Sequence, residues 1–318
     1  MALTADHIGR RVVVRRRVAA LGDRQRFSDV LGELVDLDES SLTVRRPGGD
    51  LVVVDLAQVA AAKPVPPAPR RRPSDRDLER IAALGWRGLE EHRLGGWLLR
   101  AGNGFTGRAN SVLPLDPPDR PVADALSFVT EWYAARGLPP RAQVALPLKG
   151  DLDDELAAAG WRAYNPTRFL VASIAEVLAG CPHRADLPPV THAAAPGPEW
   201  LSGYHYRGAP LPEGAVRVLT NAASPTFASV SGETGLLGVG RGVVDEGWLG
   251  VTAVTVTGSA RRRGVGRHLM RGLAQWATGL GARQAYLQVA EENAPALAMY
   301  DRLGFVTHHR YHYRTADR

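Results

Sequence analysis

The sequence predicts an α/β protein in which a small all-β domain precedes two tandem copies of one α/β unit. Three observations support this fold class. Short β-type segments and turns fill residues 1–62, a proline-rich stretch follows at 63–74, and similar segments then recur 144 residues apart in one register. The 318 residues, 45% of them hydrophobic, suffice to bury the cores of two or three domains.

Residues 1–62 contain four predicted strands joined by turns. Alternating or continuous apolar character is typical of short strands, and PGGD is typical of a hairpin turn. The strands are RVVVRRRV, DVLGELVDLD, SLTVRRPGG and DLVVVDL. Closure into a barrel would remove exposed strand edges. The segment resembles the SH3-like or Sm-like barrels that serve as accessory modules, which implies an interaction role and leaves a protein partner open.

Residues 63–74 are predicted to form a semi-rigid linker, because KPVPPAPRRRP combines prolines with four basic residues. Residues 1–62 balance nine arginines with nine acids, so they are not a basic domain. A cationic linker is usually a solvated spacer. Nucleic-acid binding is therefore not expected, and contact with RNA, DNA or an acidic partner is the alternative.

The beginning of the chain lacks the apolar segment of a secretory signal, and no apolar run reaches eighteen residues. These features predict a cytoplasmic protein without membrane contact. Cys181 is the only cysteine, so no disulfide can form within the chain. The scattered histidines show no metal-ligand spacing beside it, and no metal is expected.

An internal repeat divides the rest of the chain into a first copy, residues 75–180, and a second copy, residues 186–318. An offset of 144 residues aligns SFVTEWYAARG with RGLAQWATGLG and, without a gap, LAAAGW with YDRLGF. The same offset aligns ANSVLPL with AVTVTGS. A common register across strand, helix, strand and helix indicates two copies of one α/β unit.

The two copies differ at the connection that precedes their aligned helices. The second copy has ARRRGVG at 260–266, whereas the first copy has DPPDRPV at 116–122. The first version has no glycine, gains two acids and contains prolines that lack an N–H group. If this connection binds an anion, only the second copy can do so, and the first copy is degenerate.

The second copy carries the pattern of strand, glycine-containing turn and helix. VTAVTV is a β-branched run, and GRHLMRGLAQWA has the spacing of an amphipathic helix. Unpaired N–H groups and the helix dipole attract an anion at such a helix start, and a pyrophosphate fits there. A Walker-type loop is absent, and G-x-G-x-x-G is not completed because Leu269 stands at its last position.

Two motifs in order resemble the GNAT superfamily of acetyl-CoA-dependent N-acetyltransferases. Arg261, Gly264 and Gly266 match its cofactor motif [QR]-x-x-G-x-[GA]. The second motif, N-x-x-A-x-x-x-Y-x-x-x-G-F, is matched by Asn293, Ala296, Tyr300, Gly304 and Phe305. The resemblance implies the GNAT fold with a mixed central sheet and acetyl-CoA as the acetyl donor. It covers 186–318 well and 75–180 only through the repeat, as in tandem enzymes of actinobacteria.

The resemblance also implies roles for individual residues of the second copy. Main-chain groups of Val254, Thr255 and Val256 would pair with the pantetheine arm, and Arg261, Gly264, Val265 and Gly266 would hold the pyrophosphate. Arg262, Arg263 and Arg267 would reach the adenosine 3′-phosphate or remain solvated. Asn293 would contact the pantetheine or only cap a helix. Tyr300 would be the general acid, with a packing role as the alternative.

The implied reaction is direct attack of a neutral amine on the thioester carbonyl, which needs a base, oxyanion donors and an acid. Many family members carry a glutamate on the strand that here reads WLGVTAVTV, and this strand has none. The base is therefore left open. The candidates are Glu233, Asp245, Glu246, Glu291, Glu292, His205 and a chain of water molecules.

A polar turn in the first copy, within GGWLLRAGNGFTGRANSVLPL, suggests a wall of the acceptor pocket. We expect the substrate side to be lined by Asn103, Thr106, Arg108 and Asn110, with turn formation as the alternative role. Three functions remain open at this point. The chain is an N-acetyltransferase for a small-molecule amine, a protein acetyltransferase that recruits its substrate through the barrel, or a non-catalytic acetyl-CoA sensor.

Overall fold

The computed structural model describes residues 3–21, 24–46, 49–66, 73–205, 210–233 and 235–316. The chain divides into two compact units, Met1–Arg72 and Pro73–Arg318. No helix within the described residues is long and apolar enough to cross a membrane. The barrel, linker and copy boundaries expected from the sequence stay predictions.

The first unit is a five-stranded antiparallel sheet in the order β4-β3-β2-β1-β5. Its strands are β1 (Arg11–Leu21), β2 (Arg24–Leu37), β3 (Ser41–Arg45), β4 (Leu51–Asp55) and β5 (Val59–Pro64). Alternate side chains of these strands point inward, as the period of two requires. The core they form consists of Val12, Val14, Val30, Leu34, Leu42, Val44 and Val54. The prediction of an all-β first unit is confirmed.

A fifth strand, β5, lies where no strand was predicted. Its sequence, VAAAKP, has low β propensity, but it pairs antiparallel with β1 at the edge of the sheet. The strand includes Lys63 and Pro64, which were assigned to the linker. The arginines Arg70, Arg71 and Arg72 of the linker lie outside the described residues, as do Pro47 and Gly48 of the hairpin turn.

The second unit alternates helices and strands. Its first copy contains α1 (Asp75–Gly85), β6 (Glu90–Leu94), β7 (Trp97–Ala101), β8 (Leu113–Pro114), α2 (Val122–Ala134), β9 (Arg141–Leu146), α3 (Gly150–Ala158), β10 (Arg162–Ser173) and α4 (Ile174–Gly180). Its second copy contains β11 (Thr191–Ala193), α5 (Pro198–Gly203), α6 (Ala215–Thr220), β12 (Pro225–Gly232), β13 (Gly235–Asp245), β14 (Trp248–Val256), α7 (Val265–Gly279), β15 (Gln284–Ala290), α8 (Ala294–Asp301) and β16 (Val306–Thr315).

The repeat seen in the sequence is present in the structure. Four pairs of elements begin 143 or 144 residues apart: α2 with α7, β9 with β15, α3 with α8, and β10 with β16. The prediction of two tandem copies of one α/β unit is therefore confirmed. Two positions aligned by the repeat, Trp132 and Trp276, lie on the paired helices α2 and α7.

The two copies share one large sheet. Its order is β11-β12-β13-β14-β15-β10-β16-β9, and a separate small sheet has the order β6-β7-β8. Strand β10 of the first copy lies between β15 and β16 and pairs antiparallel with both. Strands β14 and β15 are parallel, so the sheet is mixed as expected. The sheet of the second copy therefore includes strands of the first.

Helix α7 carries the largest hydrophobic core. Its apolar residues recur at helical spacing, and Leu269, Leu273 and Ala277 are fully buried. They pack together with buried side chains of β12, β14 and β15. This packing fixes the beginning of α7 relative to the end of β14, where the site is found.

Candidate functional site

The sheet opens between β14 and β15. These strands pair only at Trp248–Gly250 with Gln284–Tyr286, and beyond Gly250 they have no shared ladder. The rest of β14 therefore offers main-chain N–H and C=O groups to a cleft, since an unpaired strand edge is a template for another extended chain. Val254, Thr255 and Val256 line this cleft, which has a volume of about 580 Å³.

A β-bulge interrupts β14 next to the cleft. Ala253 and Val254 together oppose the single residue Gly240 of β13, and Ala253 has φ +55°. A bulge leaves one residue out of the regular ladder. The bulge is therefore a candidate source of the N–H donors that an oxyanion needs.

The beginning of α7 closes one end of the cleft. A single 3₁₀ turn, Gly258–Ala260, connects β14 to the loop, and Gly264 precedes α7 with φ +86°, a conformation that favours glycine. A Cβ at Gly266 would lie 3.0 Å from the Met299 Sδ, so a side chain there would crowd the cleft. No side chain among the described residues caps this helix start.

Cationic side chains surround the helix start. Arg261, Arg262 and Arg267 line the cleft together with Gly264, Val265 and Gly266, whereas Arg263 is not part of the lining. Arg184 was missed by the sequence reasoning. Its guanidinium occupies the space that a side chain at Gly264 would need and forms an ion pair with Asp186. The loop that carries Arg184 has no motif, so only folding brings it here.

Asn293 and Tyr300 lie on or before α8. The Asn293 Oδ1 accepts a hydrogen bond from the Ala296 N–H at 3.3 Å, so the helix-capping role is present. Tyr300 is buried and packs edge-on against Phe305, with ring centroids 5.7 Å apart. Burial raises the pKa of the Tyr300 phenol, which therefore keeps its proton at neutral pH. Both residues also line the cleft, so the ligand roles expected for them stay predictions.

The residues present fit acetyl-CoA. An unpaired strand edge matches the amides of the pantetheine arm, and an uncapped helix start beside arginines matches a pyrophosphate. Glycine at position 266 leaves space in the cleft, because a Cβ there would lie 3.0 Å from the Met299 Sδ. When bound, the group supplies an acetyl thioester.

A second cavity of about 650 Å³ adjoins the cleft. Asn293 and Pro295 line both of them. Its walls combine the first copy with strands of the shared sheet. The lining consists of Trp86, Thr106, Gly107, Arg108, Asn165, Thr167, Tyr204, His205, Thr252, Ala253, Gln288, Ala290, Glu292, Asn293, Pro295, Tyr311 and Tyr313.

Two of the four predicted substrate residues line this second cavity. Thr106 accepts a hydrogen bond from the Trp86 Nε1 at 3.0 Å, and the Arg108 guanidinium lies 5.2 Å from the Trp86 ring centroid. Arg108 is half-buried and permanently charged. It is therefore the cationic group of the cavity wall.

The other two predicted residues, Asn103 and Asn110, do not line the cavity. The buried Asn110 Oδ1 accepts from the N–H groups of Gly102 and Gly104, and its Nδ2 donates to the Thr106 carbonyl at 2.7 Å. Asn103 is exposed and adopts φ +51° in the same turn. Both asparagines thus shape the loop, which was the alternative role.

Only some of the candidate bases line the second cavity. His205 and Glu292 line it. Glu291 is engaged by Arg168 and Arg310, and Glu246 is engaged by Arg80. The remaining two acids, Glu233 and Asp245, are in neither lining, although burial raises the pKa of Asp245.

Tyr311 and Tyr313 are cavity residues that the sequence reasoning did not select. They stand two apart on β16, so both point to one face of the sheet. Their rings meet edge to face at 5.6 Å. The alternation in HHRYHYR was the available signal.

Comparison with known families identifies the chain. Residues 74–314 match the family model described as "Probable histone acetyltransferase Rv0428c C-terminal", and residues 6–63 match "Rv0428c N-terminal Sm-like domain". The chain belongs to this family of GNAT-type acetyltransferases. A relative from Mycobacterium tuberculosis, "Probable histone acetyltransferase Rv0428c", is 32% identical over 98% of this chain and 96% of its own length.

Solved structures share the GNAT fold. A "GCN5-related N-acetyltransferase from Kribbella flavida" is 17% identical, with a TM-score of 0.58 over 76% of this chain and 95% of its own. A "Tandem GNAT protein from the clavulanic acid biosynthesis pathway" is 15% identical, with a TM-score of 0.52 over 77% of this chain and 89% of its own. The similarity to a tandem GNAT protein agrees with the two copies of the α/β unit described above.

Proposed function

We propose that this GNAT enzyme transfers the acetyl group of acetyl-CoA to the primary amine of a small molecule held in the second cavity. The observation that carries the proposal is the junction of the two cavities. Asn293 and Pro295 belong to both linings, so a donor in the cleft and an acceptor in the cavity would meet beside Ala253 and Val254.

The groups at this junction support direct transfer. His205 or Glu292, directly or through water, would take the proton of the ammonium, and the neutral amine would attack the thioester carbonyl. The carbon–nitrogen bond forms and the carbon–sulfur bond breaks, while bulge N–H groups would stabilise the oxyanion. The attacking nitrogen then loses its second proton to water as the amide forms. Tyr300, which lines the cleft, would give its proton to the leaving thiolate.

The cavity wall suggests the class of acceptor. A volume of about 650 Å³ lies within the range of small-molecule sites. Arg108 would bind a carboxylate or phosphate of the acceptor, since a guanidinium matches these groups geometrically. Aromatic walls from Trp86, Tyr204 and Tyr311 would cover its apolar part. We therefore propose a small amine that also carries an anionic group.

A protein acceptor is the second candidate. The relative from M. tuberculosis is named a probable histone acetyltransferase, which favours a lysine side chain as the acceptor. The first unit would then recruit the protein substrate. In this case Arg108 would face no anionic partner, because histone tails are basic.

A thiol-release screen tests both candidates. Acetyl-CoA is supplied with amino acids, polyamines, aminoglycoside-type amines, phosphorylated amines or basic peptides, and free CoA is measured. We expect turnover with anionic small amines in the full chain and in a chain that begins at Pro73. If turnover occurs only with basic peptides and is lost when residues 1–72 are removed, the acceptor is a protein and the small-molecule proposal is wrong. Calorimetric binding of acetyl-CoA without turnover on any amine would favour the sensor.

A further inference from the structure

Three side chains outside the cleft lining converge on one point. Asp75 is the first residue of α1, and His308 and His309 are consecutive residues of β16. The His308 Nδ1 lies 3.0 Å from the His309 Nδ1, and the Asp75 Oδ1 lies 3.3 Å from the first and 3.8 Å from the second. None of the three lines either cavity of the site described above.

A β-bulge makes this convergence geometrically feasible. In the pairing of β16 with β10, His309 opposes Phe169 and Thr307 opposes Leu170, which leaves His308 as the extra residue. Neighbouring residues of a regular strand point to opposite faces, and a bulge re-aims one of them. The bulge therefore turns two adjacent histidines toward one point. A spacing rule for metal ligands does not detect such a pair.

The other nitrogen of each ring is fixed by an acceptor. The His308 Nε2 lies 3.0 Å from the Pro73 carbonyl oxygen, which can only accept, so this nitrogen carries the proton. The buried His309 Nε2 lies 2.9 Å from the Glu79 Oε1. A metal-ligating histidine almost always has such a carbonyl or carboxylate partner on its other nitrogen.

A buried chain of hydrogen bonds fixes the polarity at Glu79. Arg100 can only donate, and its Nη2 donates to the Gln143 Oε1 at 2.9 Å. The Gln143 Nε2 must then donate to the Glu79 Oε2, which lies 2.8 Å away. The Glu79 carboxylate thus accepts on both oxygens, and His309 donates through Nε2. When both rings are neutral, both Nδ1 atoms therefore present lone pairs to each other and to the Asp75 carboxylate.

Three lone-pair donors that face one another repel unless a proton or a metal ion lies between them. The three separations, 3.0, 3.3 and 3.8 Å, match the edge of about 3.4 Å between ligands in a tetrahedron with bonds of about 2.1 Å. We infer that Asp75, His308 and His309 form a site for a divalent transition-metal ion of the Zn²⁺ type. The set of two imidazoles and one carboxylate suits this class of ion.

The site would link the first copy to the shared sheet. Asp75 begins the first helix of the first copy, whose start is fixed by the capping box of Ser74 and Asp77, and the histidines belong to the last strand of the second copy. Asp75 and His308 retain 21% and 17% exposure of their side chains, so an ion can enter from solvent. The fourth ligand would be water. The expected role is structural, separate from acetyl transfer.

Metal titration of the full, untagged chain tests this inference. The protein is stripped with a chelator and titrated with Zn²⁺ by calorimetry and with Co²⁺ by visible absorption, which reports tetrahedral coordination. We expect one ion per chain and a higher midpoint of thermal unfolding with Zn²⁺. In Asp75→Ala and in His308→Gln we expect Zn²⁺ affinity to fall at least tenfold, and roughly 10–100-fold is already typical for loss of an outer partner.

His183→Gln is the matched control, because this histidine is exposed and lies outside the cluster. It should retain the ion. Circular dichroism of the metal-free variants distinguishes lost binding from lost folding, and Asp75→Ala decides the question if His308→Gln does not fold. The inference is overturned if no stoichiometric binding occurs, or if both cluster variants bind Zn²⁺ as tightly as the control.

Discussion

The two copies have the same arrangement of elements but opposite connections at the start of their aligned helices. In the second copy, Gly264 and Gly266 keep the start of α7 open beside arginines. In the first copy, Asp116 forms an ion pair with Arg76, and the turn at Gly95 and Gly96 packs against the chain at that point. One connection can receive an anion, whereas the other is already occupied by the protein itself.

The same contrast holds at the position of the proposed general acid. The repeat aligns Tyr300 on α8 with Leu156 on α3. Tyr300 lines the cleft, whereas Leu156 is fully buried in the core of the first copy. The difference teaches that a duplicated unit can lack the glycine-containing turn and the tyrosine and still keep its fold. The first copy also contributes Trp86, Thr106 and Arg108 to the lining of the second cavity, which is the proposed acceptor site.

The largest effect on activity is expected from substitution of Tyr300, the proposed general acid. Tyr300→Phe removes the hydroxyl and keeps the ring packing against Phe305, so kcat should fall by roughly 10²–10⁴-fold while the Kd for acetyl-CoA stays the same. Turnover with the amine found in the screen measures the first value, and calorimetry measures the second. A variant with undiminished kcat would show that the tyrosine only packs α8.

Substitutions at the connection before the aligned helix should weaken acetyl-CoA binding in the second copy but not in the first. Gly264→Asp with Gly266→Asp introduces two charges and crowds the cleft, so acetyl-CoA should bind at least about 100-fold more weakly, or about 2.7 kcal/mol. Calorimetric titration measures the change. Pro117→Asp, at the first-copy position aligned with Arg261, is the control and should leave the affinity unaltered. Equal acetyl-CoA affinities of the wild type, the double variant and the control would show that the pyrophosphate does not bind at the start of α7.

The contribution of the first copy to the acceptor site is expected to be smaller. Arg108→Ala should raise the KM for an anionic amine by about 10-fold or more, in line with the loss of one charge-assisted contact, and should not change acetyl-CoA binding. Initial rates over a range of acceptor concentrations measure it.

Arg120→Ala is the matched control for this change. Arg120 also lies over an aromatic ring, 5.1 Å from the Phe128 centroid, but outside the cavity. Its substitution should leave KM as it is. Loss of both acceptor and acetyl-CoA binding in Arg108→Ala would indicate misfolding and contradict the assignment.

The smallest effect concerns an ion pair that joins the copies. Asp153 on α3 accepts from Arg314 and His312 on β16, and the hydrogen bond with Arg314 leads in lowering its pKa. A lowered folded pKa means that this stabilisation is present above the usual aspartate range and is lost as the pH falls through the folded value. Asp153→Asn should lower the free energy of unfolding by about 1–2 kcal/mol at pH 7 and by less in acid.

Urea unfolding at several pH values measures this difference. Asp154→Asn, an exposed neighbour, is the control and should have little effect at any pH. The pairing would be contradicted if the difference in the free energy of unfolding between wild type and Asp153→Asn increased as the pH falls.

The sequence by itself determined the fold class and the strand, turn and helix that border the cleft. Short-range patterns were sufficient there, because β14, the glycine-containing turn and α7 are consecutive in the chain. The register of 144 residues likewise follows from local segments that repeat. The family motifs added Asn293 and Tyr300, whose spacing is set by one short helix.

Only the tertiary structure showed which residues share the second cavity, including Trp86 and Tyr311, which the sequence reasoning had not selected. Arg108 and Tyr311 are about 200 residues apart in sequence and line the same cavity, in a sheet where β10 of the first copy lies between β15 and β16 of the second. The sequence left two roles open for Asn110, and the structure shows its side chain hydrogen-bonded within the loop. Local propensities determine which elements form, but long-range strand pairing determines which side chains face each other, and no short segment encodes that pairing.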